Sequence, residues 1–154
     1  MKFWVGGNYI INDGAKLEIY PGVTTKFSDN GKVKVVGQLD AIGTSGNNIV
    51  FKSINSSPAA GDWVAIDIDH ASGSGRKSTL KYCDIKHAVV GVIARSVNDS
   101  LEVSNTAFSK CLYGIYAFNS DLDIKSNSFN GSSGGMYGIY IQSATTKSLI
   151  YNNV

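Results

Sequence analysis

The chain is poor in the features that would make it a helical, disulfide-bridged or membrane-spanning protein. No apolar stretch approaches the roughly 18 residues that a spanning helix needs, which excludes such a span. Helix formers are sparse, and only 2 Pro interrupt 154 residues. The 2 Cys, Cys83 and Cys111, fall at non-equivalent places in the repeat described below, so two free thiols are expected, with Cys111 buried. A formal charge of +2, with Lys and Arg scattered singly along the sequence, gives no nucleic-acid footprint. Residues Met1 to Gly7 include a basic residue but no apolar core, so no secretory signal is legible there; the expectation is a removed signal or a module of a larger chain.

What is present is a chain dense in turns. Seventeen Gly, with many Ser, Asn and Thr, separate short apolar runs, and 43% hydrophobic against 17% charged residues describes one folded domain spanning 1–154. In the N-terminal third, apolar or β-branched residues recur every eight positions at Leu17, Thr25, Val33, Ala41 and Ile49, each followed two residues later by Ile19, Phe27, Val35, Gly43 and Phe51. That alternation predicts short strands with inward side chains, divided by turns such as Pro21-Gly22 and Asn30-Gly31. There is no room for crossover helices.

A second motif, six residues with apolar ends, appears at Ile49 to Ile54, Leu80 to Ile85, Val103 to Phe108, Ile124 to Phe129 and Leu149 to Val154. The last four copies start 23, 21 and 25 residues apart, and Val90-Gly91-Val92, Tyr113-Gly114-Ile115 and Tyr137-Gly138-Ile139 recur at 23 and 24. Three eight-residue units make the same 24, which places Leu17, Ala41 and Ala65 in one column and Thr25 beside Ile49. A period in this range indicates a stacked solenoid, each coil burying its face against its neighbours. The expected fold is therefore all-β, a single right-handed parallel β-helix of about five to six coils of roughly 24 residues, with three short strands per coil. Extra residues in 55–61, 71–78 and 130–135 are expected to be loops at the solenoid's edge.

The run from Leu17-Glu-Ile-Tyr-Pro-Gly-Val through Gly43-Thr44, Ile49-Val-Phe-Lys-Ser, Trp63-Val-Ala-Ile and Leu80-Lys-Tyr-Cys-Asp-Ile85 to Gly91-Val92 resembles the right-handed β-helix repeat proteins of the pectate-lyase-like class. The resemblance covers nearly the whole chain. It implies an extracellular or cell-surface setting and a class that holds polysaccharide lyases and hydrolases, phage tailspikes and non-catalytic surface modules. The multi-Asp calcium cluster and the Lys-Arg pair that the lyases would imply are not legible here.

If Val92, Ala94, Ile115, Ala117, Ile139 and Ile141 point inward, with Ile66 and Ile68 as their equivalents one coil earlier, strand alternation sends two columns outward. One is Asp67, Ile93, Tyr116 and Tyr140, and the other is Asp69, Arg95, Phe118 and Gln142. Exposed Tyr116, Tyr140 and Phe118 suit contact with sugar rings, while Arg95 and Gln142 supply directed hydrogen bonds, so these five are the candidate ligand-binding residues. Aromatic ladders that merely stabilise neighbouring coils are the alternative. No catalytic set is assigned; Asp67 and Asp69, two residues apart on one face, with Arg95 polarising an acidic sugar, are the candidates for a hydrolase or lyase. No metal site is assigned either. Asp67, Asp69 and His70 are the candidates, His70 directed away from the aspartates by alternation, and Ca2+ is the one cofactor left open.

Polar columns at a coil corner, Tyr82, Asn105, Ser126 and Tyr151 beside Cys83, Thr106, Asn127 and Asn152, are expected to be structural. Residues 1–14, with Phe3, Trp4, Tyr9 and Ile10, offer an N-terminal cap, and the last motif ends at Val154 without one. A truncated parent or an assembly surface is expected there. Three functions follow: a non-catalytic surface module acting as scaffold or binding carbohydrate, a polysaccharide-cleaving enzyme, or a self-assembling structural protein joined through open coil ends. The expected partners are a polysaccharide or a second copy.

Overall fold

The computed structural model describes residues 1–70, 76–97, 101–131, 135–143 and 148–154. Among them the chain is all β and winds into six coils of three strands. The first coil holds β1 (Lys2–Val5), β2 (Asn8–Ile11) and β3 (Lys16–Ile19), and the second β4 (Thr24–Phe27), β5 (Lys32–Val35) and β6 (Gln38–Ile42). The third holds β7 (Ile49–Ser53), β8 (Trp63–Asp69) and β9 (Thr79–Lys81), and the fourth β10 (Cys83–Lys86), β11 (Ala88–Arg95) and β12 (Leu101–Ser104). The fifth holds β13 (Ala107–Ser109), β14 (Tyr113–Phe118) and β15 (Leu122–Lys125), and the sixth β16 (Ser128–Asn130), β17 (Tyr137–Gln142) and β18 (Leu149–Tyr151).

Every third strand pairs in parallel, giving three six-stranded sheets: A from β1 through β4, β7, β10 and β13 to β16, B from β2 to β17, and C from β3 to β18. Strict alternation in strands such as β4 and β5 buries every second residue. The inward residues of all three sheets meet in one continuous core that includes Phe27, Phe51, Trp63, Ile66, Leu80, Ile115 and Ile124. Within it the Phe27 and Trp63 rings stack at 4.0 Å, and Trp63 Nε1 donates to the Lys86 carbonyl at 2.7 Å, so the largest buried polar group is satisfied. Residues 1–14 hold two strands in the same parallel register as the rest, Phe3 lying opposite Thr25 and Tyr9 opposite Val33.

The period of 24 fixes the fold but not the register of the early coils. Leu17 lies opposite Leu39 and Ile19 opposite Ala41, not Leu17 opposite Ala41, and Thr25 lies opposite Phe51 in place of Ile49. Ala65 belongs to sheet B, where it faces Lys32, so the column Leu17, Ala41, Ala65 does not form. Because strands alternate with period two, a slip of two residues leaves every side chain on its own face. Inside and outside are therefore right for Leu17, Ile19 and Thr25, whereas Ala65 lines up with outward Lys32 and Leu149 with outward Asp123. Ile49 to Ile54 is not a copy of the hexapeptide: Ile49 opposes Cys83 on sheet A, within one straight strand, whereas Leu80 to Ile85 bends from sheet C into sheet A. In the last copy Ile150, not Leu149, lies opposite Ile124.

The bends explain the hexapeptide. Tyr82, Asn105, Ser126 and Asn152 have φ of 51°, 49°, 57° and 55°, one left-handed residue turning each coil from sheet C to sheet A. His87 and Lys110 do the same between sheets A and B, and Ser96, Asn119 and Ser143 between B and C. A left-handed non-glycine residue costs about 1–2 kcal/mol. The backbone ladder nevertheless runs through the bend, with Asn105 N donating to Lys125 O and Tyr82 N to Ser104 O, both at 3.2 Å.

At four of these bends the residue that follows, Thr106, Asn127, Asn153 or Ser120, points inward and restores the acceptor that the bend turns away. Cys83 N donates to Thr106 Oγ1 (3.3 Å), Thr106 N to Asn127 Oδ1 (2.9 Å) and Asn127 N to Asn153 Oδ1 (3.0 Å), while Asn127 Nδ2 donates to the Val103 carbonyl (2.8 Å). The two corner columns thus end in Asn152 and Asn153, one residue beyond Tyr151 and Asn152. Ser120 repeats the device between sheets B and C, accepting from Val97 N at 3.1 Å.

The Gly-Ile motif has a packing cause. A Cβ on Gly91 would lie 2.7 Å from both the Gly114 carbonyl and the Phe108 ring, and one on Gly114 2.5 Å from the Gly138 carbonyl and 2.6 Å from Phe129. These glycines let Phe108 and Phe129, themselves stacked at 5.0 Å, lie against the backbone of sheet B. Of the expected loops, residues 71–75 and 132–134 lie outside the described residues; 54–62 forms a loop between β7 and β8.

Two outcomes follow. Asn127→Ala orphans the Thr106 amide and the Val103 carbonyl in the core, and should cost about 3 kcal/mol, read as a lower urea midpoint at unchanged slope. An unchanged midpoint would mean that the side-chain ladder does not hold the corner. Both thiols are buried, and burial pushes Cys83 up to about 12 and Cys111 to about 11. An aromatic disulfide reagent at pH 8 should therefore titrate neither in the folded protein and both in urea; reaction of either in the native state would contradict the packing.

Candidate functional site

Sheet B carries the outward columns expected from the sequence. Ile10, Lys34, Asp67, Ile93, Tyr116 and Tyr140 stack in one, and Asp69, Arg95, Phe118 and Gln142 in the next. Their inward partners Ile66, Ile68, Val92, Ala94, Ile115 and Ala117 are fully buried, and Ile139 and Ile141 pack against the core. The face divides into an ionic half and an aromatic half.

In the ionic half, Arg95 Nε reaches Asp67 Oδ1 at 3.0 Å and Lys32 Nζ lies 3.7 Å from Asp67 Oδ2. Lys34 Nζ stands 3.2 Å from Asp69 Oδ2. The Asp67 side chain is only 7% exposed, so two cations from the flanking coils bracket a nearly buried carboxylate. A buried pair of this kind keeps its register because removing one member leaves an unpaired charge. Arg95 is thus turned toward Asp67 and the two aspartates toward three cations, an arrangement that ties together coils two, three and four. Lys32 and Lys34 are the residues that sequence reasoning missed here, since their partners lie in another coil.

His70 lies past the end of β8, buried, its amide donating to the Arg95 carbonyl at 3.1 Å. Asp67 and Asp69 face outward from sheet B, and no three His, Cys, Asp or Glu side chains gather as a metal ion requires among the described residues.

In the aromatic half there are four tyrosines, not two. Tyr116 stacks on Tyr140 at 5.2 Å and Tyr113 on Tyr137 at 4.9 Å, each pair near-parallel. Tyr113 meets Tyr116 at 89° and Tyr140 at 80°, so the two stacked pairs form a herringbone joined through the edge-on contacts of Tyr113. Tyr137 and Tyr140 are 63% and 44% exposed. Tyr116 Oη donates to Gln142 Oε1 at 2.8 Å, and exposed Phe118 extends the apolar surface beside them. Tyr113 and Tyr137 escape a strict alternation count because the register shifts between Val90 and Val92, at the inward Gly91, and brings the residue before the glycine to the outer face.

A recess of about 490 Å3 lined by Leu112, Tyr113, Gly135, Met136 and Tyr137 borders this cluster. A second, polar groove of about 410 Å3 follows the corner between sheets C and A, past Asn48, Tyr82, Asn105, Ser126 and Asn152. At the tyrosine cluster exposed rings, a recess and a hydrogen-bonding amide come together. In comparisons with known proteins, no family model, no curated protein and no solved structure matches the chain.

Proposed function

We propose that this chain is a non-catalytic β-solenoid module that binds carbohydrate along the tyrosine face of sheet B. The observation that carries the proposal is the herringbone of Tyr113, Tyr116, Tyr137 and Tyr140, with Gln142 hydrogen-bonded at its edge and the recess beside Tyr137. Ring surfaces bind the apolar faces of sugars, and amide and phenol groups select among hydroxyl patterns. Membership of the pectate-lyase-like class and an extracellular or cell-surface location belong to the same proposal and rest on the resemblance of the repeats. The non-catalytic part is supported by the engagement of Asp67 and Asp69 with Arg95, Lys32 and Lys34, which directs both carboxylates to neighbouring coils.

Affinity electrophoresis through gels containing neutral glucans, mannans, xylans or galactans tests the proposal. At least one polymer should retard the protein, and Tyr116→Ala with Tyr140→Ala should weaken that retardation about tenfold, the loss expected from two aromatic contacts. Far-UV circular dichroism checks that the variant keeps its sheets. Retardation by none of the polymers, or retardation indifferent to the two tyrosines, would contradict carbohydrate binding at this face.

A further inference from the structure

Folding gathers lysines that the sequence scatters. On the outer face of sheet A, Lys26 lies opposite Lys52, and the register that sets Ile85 opposite Phe51 sets Lys86 opposite Lys52. Lys86 in turn faces Ser109, and the next residue, Lys110, stands exposed at the corner. Four lysines thus follow the solenoid axis at about one per coil, their backbones some 4.8 Å apart by strand spacing.

Like charges directly opposite one another in a sheet are destabilising. Elsewhere in this protein such lysines are matched: Lys16 reaches Glu18 and Asp40, Lys32 reaches Asp67, Lys34 reaches Asp69, and Lys125 reaches Glu102 and Asp123. Among the described residues the one ion pair of the ladder on sheet A is Lys86 with Asp84 at 3.8 Å, and Asp84 also accepts from Asn48 at 3.2 Å. Beside the ladder lies His87, 7% exposed, whose Nδ1 is buried without a hydrogen-bond partner. Burial, and then the nearby Lys110, holds its imidazole below the usual histidine range; Lys86 and Lys52 act in the same direction, and Asp62 across the corner opposes them.

We infer that this lysine ladder is a binding strip for a linear sulfated polysaccharide. A row of ammonium groups, with no arginine fork among them, acts as point charges that suit tetrahedral sulfate better than planar carboxylate. Nucleic acid fits less well. A duplex is held through phosphate contacts spread over two strands, where this row is single file, and a single strand needs stacking partners, whereas among the described residues Trp4, opposite Lys26 at the far end, is the one aromatic side chain in register with the lysines. The strip lies on a different sheet from the tyrosine cluster, so its failure would leave the proposed carbohydrate face untouched.

Titration with dextran sulfate, polygalacturonate and poly(dT) at equal charge concentration and low salt tests the inference. Dextran sulfate should bind most tightly, and Lys52→Gln with Lys86→Gln should weaken it about tenfold, the effect of removing two exposed ion pairs. Lys26→Gln with Lys110→Gln should act alike, while Arg76→Gln with Lys81→Gln, an equal loss of charge outside the ladder, should leave affinity near that of the wild type. Absence of dextran sulfate binding, or an equal loss in the control pair, would overturn the strip. Binding of polygalacturonate or poly(dT) as tight as that of dextran sulfate would overturn the assignment to sulfate.

Discussion

Everything in this fold depends on the parallel hydrogen-bond ladder staying in register as the chain turns three corners per coil. A solenoid has no other way to bury its core, since each coil packs only on its neighbours. A slip of one residue at a corner would move a strand's apolar residues to the outside. The molecule meets the requirement locally. In the later coils one left-handed residue makes the bend, its amide continues the ladder to the next coil, and at the corner between sheets C and A the following inward side chain replaces the acceptor that the bend has displaced. Thr106, Asn127 and Asn153 form the longest run of such replacements, with Ser120 doing the same at another corner.

With the inside fixed by this constraint, the outward positions are free to differ, and the three sheets have different chemistry. Sheet A carries stacked lysines. Sheet B passes from an ionic cluster to a tyrosine herringbone along its length. Sheet C aligns Glu18, Asp40, Glu102 and Asp123 in one column broken by Thr79. In that column Glu102 stays below the ordinary glutamate range although burial pushes it up, because the Lys77 and Lys125 ammonium groups lie beside it. The contrast with sheet A is informative: a carboxylate column is flanked by lysines, whereas the lysine column has one distant carboxylate for its central members.

The sequence makes the coil, the strand count and most inward residues legible, because alternation survives any even slip of register; it does not survive the one-residue offset of the last motif, which puts Leu149 beside Asp123. It does not show which residues face each other across coils, since turn lengths differ and Leu17 meets Leu39 at 22 residues while Tyr9 meets Val33 at 24. That gap decides what can be read of the sites. Tyr116 and Tyr140 follow from the Gly-Ile repeat, whereas Tyr113 and Tyr137 are hidden by the irregularity before it. The lysine ladder is invisible for a similar reason: Lys26, Lys52 and Lys86 are 26 and 34 residues apart, and only the inserted loop between β7 and β8, with the one after β8, brings the last two together.

The central claim is that inward side chains complete the backbone ladder at the corners, and amide hydrogen exchange tests it directly. The amides of Cys83, Thr106 and Asn127 donate to side chains, so they should exchange as slowly as those of the neighbouring strand residues Val103 and Ile124. Exchange as fast as that of the exposed turn residues Gly14 and Gly46 would contradict the account, because it would show corners that are open to water.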